Sequence, residues 1–99
     1  MDPLGQEAMA TVKVEYRAGL ELDFGTRDAT VPIEPGVTVL ALAHSLKDKD
    51  GNTALIEGNI IRAGILVLIN DCDIEIEDGV NTVVKAGDVV TFLSSIHGG

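Results

Sequence analysis

The chain has 99 residues, of which 45% are hydrophobic, so it has the length and apolar content of one domain with a single core. Its 16 Asp and Glu residues against 7 Lys and Arg give a net charge of −9, and so acidic a surface repels phosphate backbones. We therefore expect no direct binding of nucleic acid, and no membrane span, because the strongly apolar run ILVLI is too short to cross a bilayer.

The N-terminal stretch MDPLGQEAMA carries Asp2 and Glu7 and lacks the basic start of a secretory signal. We predict that residues 1–10 form a flexible arm. The next segment, TVKVEYR, alternates apolar and polar residues. This alternation predicts a half-buried strand with its two valines and Tyr16 on one face.

Two glycines punctuate the following segment, AGLELDFGTRD, in which Leu20, Leu22 and Phe24 continue the alternation. We interpret it as a long hairpin connection with apolar contacts of its own. ATVPI then predicts a second short strand. Because Pro32 cannot donate to a ladder, we expect this strand at an edge of the sheet or with the proline facing outward.

The segment EPGVTVLALAHSLKDKDG is the one helix candidate. Thr38 is a typical N-cap, and we expect the helix to continue to Lys47 and Lys49 and to close at Gly51. His44 is expected at the surface, since no second histidine has metal-ligand spacing from it. The apolar stripe at helical spacing consists of Val39, Leu42, Ala43 and Leu46.

Three strands are predicted after the helix. ILVLIND is apolar at consecutive positions, which predicts a central strand covered on both faces. DIEIE predicts a strand with Ile74 and Ile76 inward. A turn at residues 85–88 precedes VVTFL, which is apolar on both faces and is therefore also predicted to be central.

The order of strand, strand, helix and three strands predicts an α+β roll. The arrangement is a β-grasp, with one main helix across a mixed sheet of four to five strands. We expect the first and last strands, residues 12–16 and 89–93, to be adjacent and parallel. The β-grasp domain is predicted over residues 11–96, with an extended tail at 97–99.

Cys72 is the only cysteine, which excludes an intrachain disulfide and fits a reducing, cytoplasmic location. It lies between Asp71 and Asp73, whose negative charge disfavours a thiolate, so we interpret it as a passive small residue. Five acids fall within eight residues, and a basic partner is one explanation for them besides a solvated face. They are Asp71, Asp73, Glu75, Glu77 and Asp78.

The sequence contains no Ser/His/Asp arrangement, phosphate-binding loop or metal motif, so we expect no catalysis by this chain itself. Its last residues, His97, Gly98 and Gly99, follow the final predicted strand directly. A terminal carboxylate becomes an electrophile once it is adenylated, and residues without side chains allow the closest approach to an enzyme's narrow site. The tail is therefore a candidate substrate arm.

Two stretches, IRAGILVLINDCDIEIE and GDVVTFLSSIHGG, carry a family resemblance. They are similar to the RPGI-x-x-LIND-x-DWEL pattern and the STLHGG-type tail of the ubiquitin-related modifier family, the eukaryotic ubiquitin-like sulfur carriers. The resemblance is strong over residues 61–99 and rests on pattern in the first half.

This resemblance implies a reaction at Gly99, with Gly98 and His97 as tail-recognition residues. A ubiquitin-activating-type enzyme with a rhodanese domain would adenylate the carboxylate using ATP and Mg²⁺, and a persulfide would convert it to a thiocarboxylate. The sulfur would reach the wobble uridine of transfer RNA through a separate tRNA thiolase. The tail would also be joined to lysines of target proteins, and the chain itself would be a monomer without a bound cofactor.

Two other functions remain open at the level of sequence. One is a sulfur carrier for molybdopterin or thiamine synthesis, which would share the fold and the Gly-Gly tail. The other is a non-catalytic β-grasp interaction module whose terminal glycines are inert. A block on the C-terminus would leave the second fully functional.

Overall fold

A computed structural model describes residues 10–95 of the chain. The elements are β1 (Thr11–Arg17), α1 (Leu20–Phe24), β2 (Asp28–Pro32), α2 (Val39–Ser45), β3 (Ile56–Glu57), β4 (Ile60–Ile61), β5 (Ile65–Ile69), β6 (Cys72–Asp73), 3₁₀ turns at Ile74–Ile76 and Gly79–Asn81, and β7 (Val89–Ser94). A five-stranded mixed sheet, in the order β2-β1-β7-β5-β6, carries the main helix α2, and β3 and β4 form a separate two-stranded sheet. The predicted α+β architecture is confirmed.

The centre of the sheet is the parallel pair β1 and β7, as the sequence predicts. Tyr16 lies opposite Phe92 in this register, and its ring also stacks on Phe24 with centroids 4.2 Å apart. On the opposite face of the sheet, Glu15 contacts the Thr91 hydroxyl and forms an ion pair with Arg17 at 3.0 Å. The last strand is therefore enclosed on both faces, which explains its apolar pattern.

Strand β2 is an outer strand and forms the predicted antiparallel hairpin with β1. The Tyr16 N–H donates to the Arg27 carbonyl, and the Ile33 N–H donates to the Ala10 carbonyl, both at 2.9 Å. Because bonded and non-bonded positions alternate in such a ladder, Pro32 lies where an N–H would point away from β1. The proline therefore costs no hydrogen bond, which confirms the edge prediction.

Helix α2 begins where predicted, because the Thr38 hydroxyl accepts from the Ala41 N–H at 3.2 Å. Its predicted stripe is buried, and His44 is exposed. The predicted end at Gly51 is wrong, since the helix stops at Ser45. Asp48 Oδ1 accepts from the N–H groups of residues 50 and 52, both at 2.9 Å, and this local turn replaces further helix.

The connection after β1 contains a short helix, α1, in place of the predicted alternation. Leu20 and Phe24, four residues apart, are buried, while Leu22 between them is 65% exposed. Gly19 and Gly25 flank the helix in the left-handed region, with φ of 103° and 74°. These glycines allow the reversals at both ends that a non-glycine residue adopts only with strain.

Strands β5 and β6 are joined by a two-residue turn at Asn70 and Asp71, both with positive φ. The strand predicted for DIEIE is only partly formed. Asp73 accepts from the Glu75 N–H at 2.9 Å and starts a 3₁₀ turn, so the predicted inward position of Ile76 is wrong: it is 72% exposed.

The prediction that β5 is covered on both faces is also wrong. Val67 is buried against the core, whereas Leu66, on the opposite face, is 42% exposed. Helix α2 covers one face of the sheet, and β5 keeps part of its other face open. In the part of the chain that is described, no helix has the length and apolarity needed to cross a membrane.

Candidate functional site

The end of β7 positions the start of the C-terminal segment. Ser94 pairs with Ile65 as the last residue of the ladder with β5. Ser95 then donates twice to the Gly64 carbonyl, from its N–H at 2.6 Å and from its hydroxyl at 2.9 Å. The backbone is thus held up to Ser95, the fifth residue from the end of the given sequence.

The reactive residues predicted from the sequence, His97, Gly98 and Gly99, lie outside the described residues, so their roles stay predictions. The predicted division into an arm at 1–10, a domain at 11–96 and a tail at 97–99 likewise remains untested. Four residues follow Ser95, and a chain of that length spans at most about 14 Å. A reacting terminus therefore remains close to the surface around Ser95.

The surface at the base of the tail is indented and carries exposed apolar side chains among polar ones. A cleft of about 210 Å³ between α1 and the start of β5 includes Leu22 and Ser94 in its lining. A second cleft, of about 260 Å³, begins at Ile60 and includes Leu66. Large apolar side chains exposed in this way are typical of surfaces that bind another protein.

Arg62 lines both clefts and is the cation of this surface. Its backbone N–H donates to the Leu55 carbonyl at 2.9 Å, which fixes the residue, while its side chain is exposed. Within residues 10–95 its guanidinium forms no ion pair, although Asp23, Asp73 and Glu75 also line these clefts. It is therefore available to an acidic group of a partner, on a chain whose net charge is −9.

The five predicted partner-facing acids lie together at the outer end of the sheet, on β6 and the turns after it. All are exposed except Asp73, which is half-buried and caps the 3₁₀ turn. None of them forms an ion pair with another described residue, so their charges reinforce one another. The geometry agrees with a solvated acidic surface and does not identify a partner for it.

Cys72 is exposed within this acidic segment. Within residues 10–95, no group of three His, Cys, Asp or Glu side chains is placed to hold a metal ion.

Sequence reasoning missed the surface at the base of the tail. Two signals could have revealed it: the four-residue spacing of Leu20 and Phe24, which leaves Leu22 outward, and the RAG segment that turns the chain before β5. Both place apolar or basic side chains beside a strand whose end was predicted correctly.

Comparison with known proteins agrees with this arrangement. The sequence model of the family described as Urm1 (Ubiquitin related modifier) matches residues 11–99. A ubiquitin-related modifier 1 homolog of Chlamydomonas reinhardtii is 38% identical, over 92% of this chain and 100% of that protein.

Two solved structures extend the likeness to the fold. The solution structure of Urm1 from Trypanosoma brucei has a TM-score of 0.74 and 31% identity, over 95% of this chain and 100% of that one. Small archaeal modifier protein 1 from Methanosarcina acetivorans has a TM-score of 0.71 and 29% identity, over 94% and 100%. The chain therefore belongs to the ubiquitin-related modifier family, whose members are small ubiquitin-like protein modifiers and sulfur carriers and are not themselves enzymes.

Proposed function

We propose that this protein carries sulfur on its C-terminus for the 2-thiolation of wobble uridine in transfer RNA, and that the same terminus is joined to lysines of target proteins. The observation that carries the proposal is the sequence HGG, which follows a central strand whose end is fixed by two hydrogen bonds between Ser95 and Gly64. A rigid domain with such an ending suits a substrate that another enzyme must grip and modify.

The chemistry takes place at the carboxylate of Gly99. An activating enzyme of the ubiquitin-activating type, with a rhodanese domain, uses ATP and Mg²⁺: the carboxylate attacks the α-phosphate and pyrophosphate leaves. The outer sulfur of a persulfide on that enzyme then displaces AMP and forms an acyl disulfide. A second enzyme thiol attacks the inner sulfur of this linkage, which releases the thiocarboxylate and leaves a disulfide on the enzyme. In conjugation, a lysine amine of the target attacks the adenylated carbonyl, forms an amide and releases AMP.

We further propose that the activating enzyme holds the apolar surface at the base of the tail. Leu22 and Leu66 are exposed beside Ser94, and Arg62 supplies a cation that an enzyme carboxylate would pair with. Contact there places the reacting terminus within the about 14 Å that four residues reach.

The excess of acidic residues supports a mechanism in which a separate thiolase binds the transfer RNA. A chain with a net charge of −9 is repelled by a polyanionic transfer RNA and is poorly suited to bind it directly. We therefore propose that the thiolase holds the transfer RNA and that this protein, acting as a cytoplasmic monomer, delivers only sulfur.

The test is ATP–pyrophosphate exchange with the cognate activating enzyme, followed by measurement of transfer RNA thiolation. Deletion of Gly99, or extension by one alanine, should lower exchange at least about a hundredfold, because displacement of a reacting group by about 1 Å costs that much. Gly98→Ala should lower it less, and Leu22→Ala should raise KM while leaving kcat unchanged.

Exchange and thiolation at wild-type levels with a deleted or extended terminus would contradict the proposal and favour an inert interaction module. Loss of molybdoenzyme activity with intact transfer RNA thiolation, after removal of the gene, would instead assign the sulfur to molybdopterin synthesis.

A further inference from the structure

The free edge of β2 presents unpaired backbone groups. Asp28, Thr30 and Pro32 alternate with the residues bonded to β1, so their backbone groups point away from it. Among the described residues, the Asp28 carbonyl has one partner, the Thr26 hydroxyl at 2.8 Å. The N–H and carbonyl of Thr30 and the carbonyl of Pro32 have no hydrogen-bond partner within residues 10–95.

An apolar groove of about 380 Å³ lies beside the end of this edge. Ile33, Pro35 and Val37 line one side, and Ala41 and Leu42 of α2 line the other. Glu34 is the one ionisable residue in its lining. Unpaired strand groups next to an apolar groove are what an added strand requires, because backbone bonds give affinity and a pocket accepts its side chain.

This groove and the base of the tail lie at opposite ends of β1. Pro32 pairs with Thr11 at the start of β1, whereas Leu93 pairs with Arg17 at its end. A protein bound in the groove therefore leaves the C-terminal segment accessible, and a covalently occupied terminus leaves the groove accessible.

We propose that this groove binds an extended segment of a partner protein, which adds as a strand to β2. The segment places an apolar side chain between Ile33 and Ala41 and a lysine or arginine against Glu34. Such a partner recognises the protein after its terminus has been joined to a target. That role rests on the proposed conjugation, whereas affinity for the segment does not.

Charge favours a basic partner segment over the other occupants. A second copy of this chain would bring Asp28 and Glu34 against the same acids, on chains that each carry a net charge of −9. Residues 1–9 carry Asp2 and Glu7 and no lysine or arginine, so they too are repelled by Glu34.

The experiment titrates the full chain with the peptide acetyl-KVTVTVK-amide and follows the backbone amide NMR spectrum of the protein. The Thr30 amide should shift, and its hydrogen exchange should slow about tenfold at saturation. Thr30→Pro removes the free N–H without touching the ladder to β1 and should weaken binding about tenfold, while Thr30→Val should bind like wild type.

A matched pair of protein variants tests whether charge contributes to peptide binding. Glu34→Lys should weaken binding about threefold at low salt, with the difference lost at high salt, while Asp50→Lys, in the loop beside α1, should have no effect. A peptide with glutamate in place of lysine should bind more weakly than the basic one.

Three outcomes would overturn the proposal. They are equal affinity of wild type and Thr30→Pro, binding that appears only when residues 1–9 are removed, and a dimer in sedimentation that the peptide dissociates. The measurement uses no activating enzyme, so failure of the sulfur chemistry leaves its result unchanged.

Discussion

The parallel centre of the sheet and the outer segment at residues 70–78 carry similar alternating sequences but fold differently. In the centre, β1 and β7 are paired along their length, and Phe92 is fully buried. In the outer segment, only the first residue of the alternating DIEIE belongs to a strand, and the next three form a 3₁₀ turn. The difference shows that alternation predicts a strand correctly where the segment pairs along its length with a neighbouring strand. In the outer segment, the capping carboxylate of Asp73 starts a turn instead.

The two regions also divide the function. The centre holds the end of β7 in place and so positions the start of the C-terminal segment, where the reaction is proposed to occur, whereas the outer segment presents charge. Substitutions in the centre should therefore change stability, and substitutions in the outer segment should change encounters with partners.

Phe92→Ala should have the largest effect, lowering the free energy of unfolding by about 3–5 kcal/mol, because it leaves a cavity beside Tyr16. Ile76→Ala, at an exposed position of the outer segment, should change it by less than about 0.5 kcal/mol. Urea denaturation of both variants measures the contrast, and similar losses would mean that the outer segment is as tightly packed as the centre.

The next effect in size is the pH dependence of the free energy of unfolding that Tyr16 causes. Burial raises the pKa of Tyr16 from its ordinary 10.0 to about 12. The unfolded chain therefore loses this proton first, so stability present below pH 10 falls as the pH rises to about 12, by about 2–3 kcal/mol. Tyr16→Phe should remove that part of the slope in urea denaturation at pH 9 to 12. An unchanged slope would show that the phenol is accessible to water.

Asn70→Ala should lower stability by about 1–2 kcal/mol. The Asn70 side chain accepts from the Val89 N–H and donates to Asp88, both at 3.0 Å, and its φ of 51° disfavours alanine. Asn70→Gly retains the backbone conformation and should lose less. If thermal denaturation ranks the two variants equally, the backbone conformation contributes nothing measurable.

The smallest effect concerns the five acids of the outer segment. Their replacement by Asn or Gln should slow association with the activating enzyme about three- to tenfold at low salt, with no change in stability at the centre. Acid-to-amide changes at five positions outside this segment, Asp28, Glu34, Asp48, Asp50 and Glu57, are the charge-matched control. Equal rates in stopped-flow mixing would remove the acids from the encounter.

Most of the centre could be predicted from sequence. Val12, Val14 and Tyr16 alternate with polar residues and all face the core, and Thr38 is a residue type that commonly caps the start of a helix. The parallel pairing of the first and last strands followed from the two apolar faces of β7. These features depend on periodicity and on local capping, which the sequence displays directly.

The rest depended on competition between local turns and longer-range order. Asp48 ends α2 early, and the glycines around α1 admit a helix too short for a periodic signal. The surface at the base of the tail combines α1 with the start of β5, and no single segment contains it. The predicted role of Gly99 rests on chemistry and on the sequence alone, because two terminal glycines are conspicuous without any knowledge of the fold, and it stays a prediction.

The parallel pairing of β1 and β7 has a mechanical consequence for a conjugated protein. A pull on the C-terminus of a conjugate loads β7 along its own axis, in shear against β1 on one side and β5 on the other. The ladder bonds then bear the force together, whereas a hairpin pulled apart at its open end breaks them one by one. We expect this domain to resist extraction by an unfoldase that acts through its attached target.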